Sequence, residues 1–111
     1  MGEELVHDGG HGFETRAIHV GQVPDATTGA VVTPISLATT FAQQSVGVHQ
    51  GYEYSRSGNP TRTALEHCVA SLELAAHGLA FASGLAAEDT VLRALAPAGR
   101  VLLGNDAYGG T

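Results

Sequence analysis

The stretch LAFASGLAAEDTVLRALAPAGRVLLGNDAYGGT, Leu79 to Thr111, decides the fold class. LAFAS (Leu79 to Ser83) is a short apolar run suited to a buried strand. Gly84 breaks it, and LAAEDTVLRALA (Leu85 to Ala96) predicts a helix with Leu85, Val91, Leu92 and Leu95 buried. Pro97-Ala98-Gly99 then turns the chain into a second strand, about Arg100 to Leu103. Strand, helix, strand with short links is a βαβ unit, and it predicts an α/β fold built on a parallel sheet. Two strands do not make a stable sheet, and Tyr108-Gly109-Gly110-Thr111 stands where another helix would begin. The sequence therefore reads as the front part of a larger chain.

Upstream of that unit, Asn59 fits an N-cap and Pro60 the first helical position, where its missing N–H does no harm. Leu65, Cys68, Val69, Leu72 and Ala76 follow at helical spacing, which predicts a helix over about Pro60 to Ala76 with one apolar stripe. Gly78 suits its C-cap. Further back, Phe13 to about Gly51 shows no sustained helical period. Its Thr33-Pro34 step favours extended backbone, so VVTPISLATTFAQ is expected to be an extended arm or irregular strands. An arm of that length fits better against a partner subunit than inside one compact domain. Met1 to Gly12, with its HDGGHG run, is expected to be a mobile tail. The organisation is thus tail 1–12, arm 13–51 and, from 52 to 111, the first part of a ligand-binding domain.

The chain has 111 residues, 43% of them hydrophobic and 14% charged, with a formal net charge of −6. That is globular composition, and the acidic balance argues against general binding to nucleic acid or to an anionic membrane. The single Cys68 excludes an intrachain disulfide framework and suits a reducing compartment, so a cytoplasmic location is expected. The apolar run Gly78 to Ala87 is far shorter than the roughly twenty residues needed to span a bilayer. All five basic residues are arginine: Arg16, Arg56, Arg62, Arg93 and Arg100. No lysine occurs.

Three places carry candidate chemistry. At Ser83-Gly84-Leu85 a glycine between strand and helix would bring the N–H groups of Gly84 and Leu85 to a helix N-terminus, a ready anion site. A plain βα turn needing glycine for geometry is the competing reading. A nucleophilic Ser83 would need G-x-S-x-G, and Phe81 and Leu85 stand where those glycines should be. In Tyr54-Ser55-Arg56, alternate residues of extended backbone share a face, so a phenol and a guanidinium could clamp one phosphate. A solvated loop that merely caps the next helix is the alternative there. Tyr108 follows a predicted strand and would lie on the same sheet edge as Gly84, where ligands of parallel sheets bind. It could stack on a planar ring or simply be a rim aromatic. His7 and His11 have metal-like spacing without Cys partners, His19, His49, His67 and His77 have no evident constellation, and no metal is assigned. Cys68 sits on the apolar stripe as an inert thiol.

Taken together, YSRSGNPTR (Tyr54 to Arg62), FASGLAA (Phe81 to Ala87) and NDAYGGT (Asn105 to Thr111) resemble the Cys/Met-metabolism family of pyridoxal-phosphate (PLP) enzymes. TRAIHVGQ (Thr15 to Gln22) and TPISLATTF (Thr33 to Phe41) are similar to that family's N-terminal arm. The resemblance implies the start of a fold-type I large domain, PLP as cofactor and a homotetramer whose active sites are each shared across a dimer interface. It implies that the backbone at Ser83, Gly84 and Leu85 holds the cofactor phosphate, and that Tyr54 and Arg56 grip the same phosphate from the neighbouring subunit. Tyr108, and with it Tyr54, is implied in catalysis, Tyr108 also stacking on the cofactor ring. The implied reaction is carbon–sulfur lysis of an amino acid, γ-elimination of cystathionine to cysteine, 2-oxobutanoate and ammonia. Alternatives within the family are γ-replacement on an activated homoserine and γ-elimination of methionine. Gly110, where members acting on methionine commonly carry cysteine, weighs against the latter. The family's cofactor-bonding lysine is not among these residues, so it is expected downstream of Thr111. From another class, a non-catalytic phosphate-binding module would be complete in itself, bind phosphate ligands and never take up PLP.

Overall fold

The computed structural model describes residues 10–95 and 99–111. The tail expected over 1–12 therefore falls almost wholly outside the described residues, as do His7, Ala96 and the Pro97-Ala98 step. The chain divides into two units, one ending at Leu79 and the other running from Ala80 to Thr111.

The first unit is organised around α2, Pro60–Leu72. Asn59 opens it as expected: its extended backbone turns in, and Oδ1 accepts from the N–H groups of Thr61 at 2.9 Å and Arg62 at 3.2 Å. The helix stops at Leu72, four residues short of the expected Ala76. Leu74, at φ 54°, takes the left-handed position of the closing motif, with Ala75 N–H donating to Ala70 O at 2.9 Å and Leu74 N–H to Ser71 O at 3.2 Å. This is a Schellman closure, so the C-cap lies well before Gly78. Gly78 has a different duty. A Cβ there would collide with the Glu66 carbonyl, so only glycine lets the chain return along α2.

The expectation of an irregular, extended arm from Phe13 needs correcting. Phe13–His19 is a helix, α1, which packs on α2. Arg16 Nη1 donates to the Ser71 carbonyl, and the Cys68 thiol lies 3.8 Å from Ala17 O. Gly21 follows at φ 79°, and a Cβ there would strike the Ala64 carbonyl. Seven residues were too few to establish a helical period, which is why the pattern gave no warning. This packing also shifts the core. Ala70 and Ser71 are buried, whereas Leu65 and Val69 of the predicted stripe remain exposed.

Beyond α1 the chain is irregular, but it is fastened to its own helix. Asn59 Nδ2 donates to Ser36 O at 3.1 Å, Thr61 Oγ1 donates to Pro34 O at 2.9 Å, and Ser36 N–H donates to Thr61 Oγ1 at 2.9 Å. A two-stranded antiparallel hairpin follows, β1 (Gln43–Ser45) and β2 (Val48–His49), turning at Gly47 with φ 76°.

The second unit contains α3, Gly84–Ala94. The expected parallel strands Leu79 to Ser83 and Arg100 to Leu103 are not formed, and the hairpin is the sole sheet among the described residues. A strand exists only where a neighbour supplies its hydrogen-bond partners. Without a sheet to cover them, Leu85, Val91, Leu92 and Leu95 are exposed rather than buried.

Candidate functional site

In the second unit, Ser83 is the N-cap of α3 and its Oγ accepts from Ala86 N–H at 3.2 Å. The helical ladder begins with Ala87 N–H donating to Ser83 O at 3.2 Å. The Gly84 and Leu85 N–H groups are thereby the first-turn donors left for an incoming acceptor, at the positive end of the helix. Ser83 acts as a cap, so its hydroxyl is engaged where a nucleophile's would be presented. Gly84 does not have a positive φ, and a Cβ built on it meets nothing within 4 Å. Neither backbone geometry nor packing within this chain demands glycine at 84. The open space at its Cα leaves room for a phosphate to sit on the amides.

In the first unit, Tyr54 and Arg56 are brought together, by a route other than strand alternation. Tyr54 pairs with Thr40 in an isolated antiparallel bridge, and the chain then turns tightly. The Tyr54 carbonyl accepts from Ser57 N–H at 3.1 Å, Gly58 N–H at 2.9 Å and Ser57 Oγ at 2.9 Å. This turn folds Arg56 back so that its Cζ stands 4.9 Å from the centre of the Tyr54 ring. A cation over a phenol face orients both groups at modest gain. Arg56 stays exposed and Tyr54 half-buried, so the guanidinium fork remains open to an anion. Beside this loop, Phe41 and Tyr52 set their rings 5.6 Å apart in an open pocket they share with Ala42 and Gln50.

Tyr108 is 85% exposed and precedes a turn closed by Thr111 N–H on Tyr108 O at 2.9 Å. The sheet edge expected to join it to Gly84 is not formed among the described residues. His67 and His77 face solvent. No cluster of His, Cys, Asp or Glu among the described residues could hold a metal, and no described helix is long and apolar enough to cross a membrane. Arg62 was read only as part of a motif. Its side chain reaches back to the Ser57 carbonyl, a contact that spacing alone does not reveal.

Each unit thus carries its own set of open donors, backbone amides at Gly84 and Leu85 in one and the Tyr54 phenol with the Arg56 guanidinium in the other, and donors of both kinds suit an anion. The chain belongs to the Cys/Met metabolism PLP-dependent enzyme family, which it matches over residues 14–111. It is 61% identical over 99 residues to the cystathionine β-lyase of Coxiella burnetii, covering 89% of this chain and 26% of the relative. With the probable cystathionine γ-synthase of Herpetosiphon aurantiacus it shares 56% identity over 101 residues, covering 91% and 32%. The crystal structure of cystathionine γ-lyase from Lactobacillus plantarum, complexed with L-serine, superposes with a TM-score of 0.70 at 54% identity, covering 76% of this chain and 22% of that one. The chain thus spans between a fifth and a third of the length of these relatives. Over the 76% of the chain that superposes, its backbone follows that of the Lactobacillus enzyme.

Proposed function

We propose that this chain supplies the phosphate-holding part of a PLP-dependent carbon–sulfur lyase that cleaves cystathionine by γ-elimination to cysteine, 2-oxobutanoate and ammonia. The observation that carries the reading is the first turn of α3, where the Gly84 and Leu85 amides are left over by the Ser83 cap and a Cβ at Gly84 would meet only open space among the described residues. When bound, PLP supplies an electron sink for negative charge developing on the substrate carbons. The Gly84 and Leu85 N–H groups donate to its phosphate, with the α3 dipole behind them. Tyr54 and Arg56 add a phenol hydrogen bond and a guanidinium fork from the neighbouring subunit of a homotetramer. Tyr108 would stack on the cofactor ring and hold a proton at its phenol oxygen for the departing sulfur. The sequence contains no lysine, so the group that bonds the cofactor covalently is assigned to a part of the protein beyond these residues. The lone Cys68 agrees with a cytosolic enzyme.

The choice of γ-elimination is supported by the wording of SRSGNPTR with FASGLAA and by the γ-lyases of Bos taurus and Homo sapiens, each 56% identical over 100 residues. The Coxiella relative, at 61%, favours β-elimination as a second reading. The two break different bonds and release different keto acids. Full-length enzyme given cystathionine should form 2-oxobutanoate and cysteine. Pyruvate with homocysteine would assign β-elimination instead. Cystathionine formed from an activated homoserine and cysteine, with no keto acid from cystathionine, would make the enzyme a synthase.

A further inference from the structure

Arg62 sits at the third position of α2, where a cation opposes the helix dipole and acidic residues are the favourable choice. Its presence there works against its own helix, so the reason for it lies in what its side chain reaches. Nη2 donates to the Ser57 carbonyl at 3.1 Å, and Nε lies 3.7 Å from Glu66 Oε1, one helical turn on. The Arg62 side chain is 36% exposed and that of Glu66 only 19%. The Arg62 backbone N–H is itself fixed by Asn59 Oδ1. One residue therefore joins the rigid start of α2 to the far end of the turn that brings Arg56 over Tyr54. The near end is fastened separately, through the Ser57 and Gly58 donors on the Tyr54 carbonyl.

We propose that Arg62 is a positioning residue of the anion clamp, holding the Ser57 carbonyl so that the turn presents Arg56 and Tyr54 together; this rests on the clamp function proposed above. Arg62 does not touch the phosphate. It acts through the turn. Loss of this tie lets Arg56 sample orientations away from Tyr54, and the cofactor must then bear the cost of ordering it.

The test uses the full-length apoprotein titrated with PLP and followed by absorbance and fluorescence, together with its thermal midpoint without cofactor. Arg62→Ala should weaken PLP binding about tenfold, the size of one lost charge-assisted hydrogen bond. The apoprotein midpoint should change little, since the lost contacts to Ser57 and Glu66 are partly offset by removing a cation from a helix N-terminus. Combined with Arg56→Ala, it should add little to the loss caused by Arg56→Ala alone, since Arg62 acts through that residue. Arg62→Lys, which keeps a donor without the fork, should fall between wild type and Ala and provides the reading should Ala fail to fold. Wild-type affinity in both variants, or full additivity with Arg56→Ala, would overturn the positioning role while leaving the clamp intact. A wild-type protein that takes up no PLP would overturn the clamp itself.

Discussion

Arg56 shows how a few atoms set the chemistry at the scale of the residue. Its guanidinium stands over the Tyr54 ring rather than in an ion pair with a carboxylate among the described contacts, so its charge is available to a ligand. Removing it should therefore be felt at the cofactor. Arg56→Ala is expected to weaken PLP retention, by about 2–5 kcal/mol if the assembled protein buries the Arg56–phosphate pair. Equilibrium dialysis of the full-length variant measures this, and unchanged affinity would remove Arg56 from the clamp. Tyr108 invites the complementary experiment. Tyr108→Phe keeps the ring for stacking and deletes the phenol oxygen, so PLP affinity should hold while turnover on cystathionine falls about 10²-fold or more. An unaffected rate would leave Tyr108 with stacking alone. Much of this scale was legible in the sequence. The Asn59 cap and the Ser83 cap before Gly84 follow from local rules that depend on neighbours in the chain, whereas Tyr54 and Arg56 meet through a turn and not through the expected alternation. The reach of Arg62 was not legible, because a side chain's target is fixed by the turn it meets.

Elements reveal where local rules give way to packing. The end of α2 is set by the returning chain, which places Leu74 in the left-handed region at φ 54° with its side chain 67% exposed. Such a conformation costs an L-residue about 1–2 kcal/mol. Leu74→Gly should recover part of that, raising stability by about 0.5–1 kcal/mol in thermal unfolding; a lowered midpoint would mean that the leucine side chain contributes packing worth more than the strain. The loop after α1 carries a pH-sensitive turn. Asp25 accepts from Thr28 N–H at 2.8 Å, Thr28 Oγ1 at 2.8 Å and Thr27 N–H at 3.1 Å. The Thr28 backbone bond, then its hydroxyl, hold the carboxyl below the usual carboxylate range. A carboxyl lowered in the folded state stabilises fully above its ordinary pKa and ceases to as pH falls through the lowered value. The Thr28 amide signal should thus titrate with a midpoint below that of an ordinary aspartate, and a midpoint at or above the ordinary one would show that the turn does not bind the charged form. The missed α1 and the unformed strands mark the limit of sequence reading at this scale. A helix of about two turns is too brief a signal, and a strand needs a partner that its own residues cannot supply.

For the whole molecule, the pattern of exposure matters most. Val31, Val32, Ile35 and Leu37 of the arm are exposed although their backbone is tied to α2 through Pro34 and Ser36. One side of this segment is therefore satisfied by its own chain and the other presents apolar side chains. The clamp proposed above is donated across a dimer: Tyr54 and Arg56 from one protomer, the Gly84 and Leu85 amides from its partner. Subunit complementation tests this claim most directly. Full-length Arg56→Ala and Gly84→Asp proteins, each impaired in its own homo-oligomer, are dissociated and reassembled together, and PLP uptake and cystathionine cleavage are measured. A shared site predicts recovery, because a mixed dimer holds one site with both changes and one with neither. Mixed dimers as impaired as their parents would contradict it, placing both halves of the clamp in a single chain.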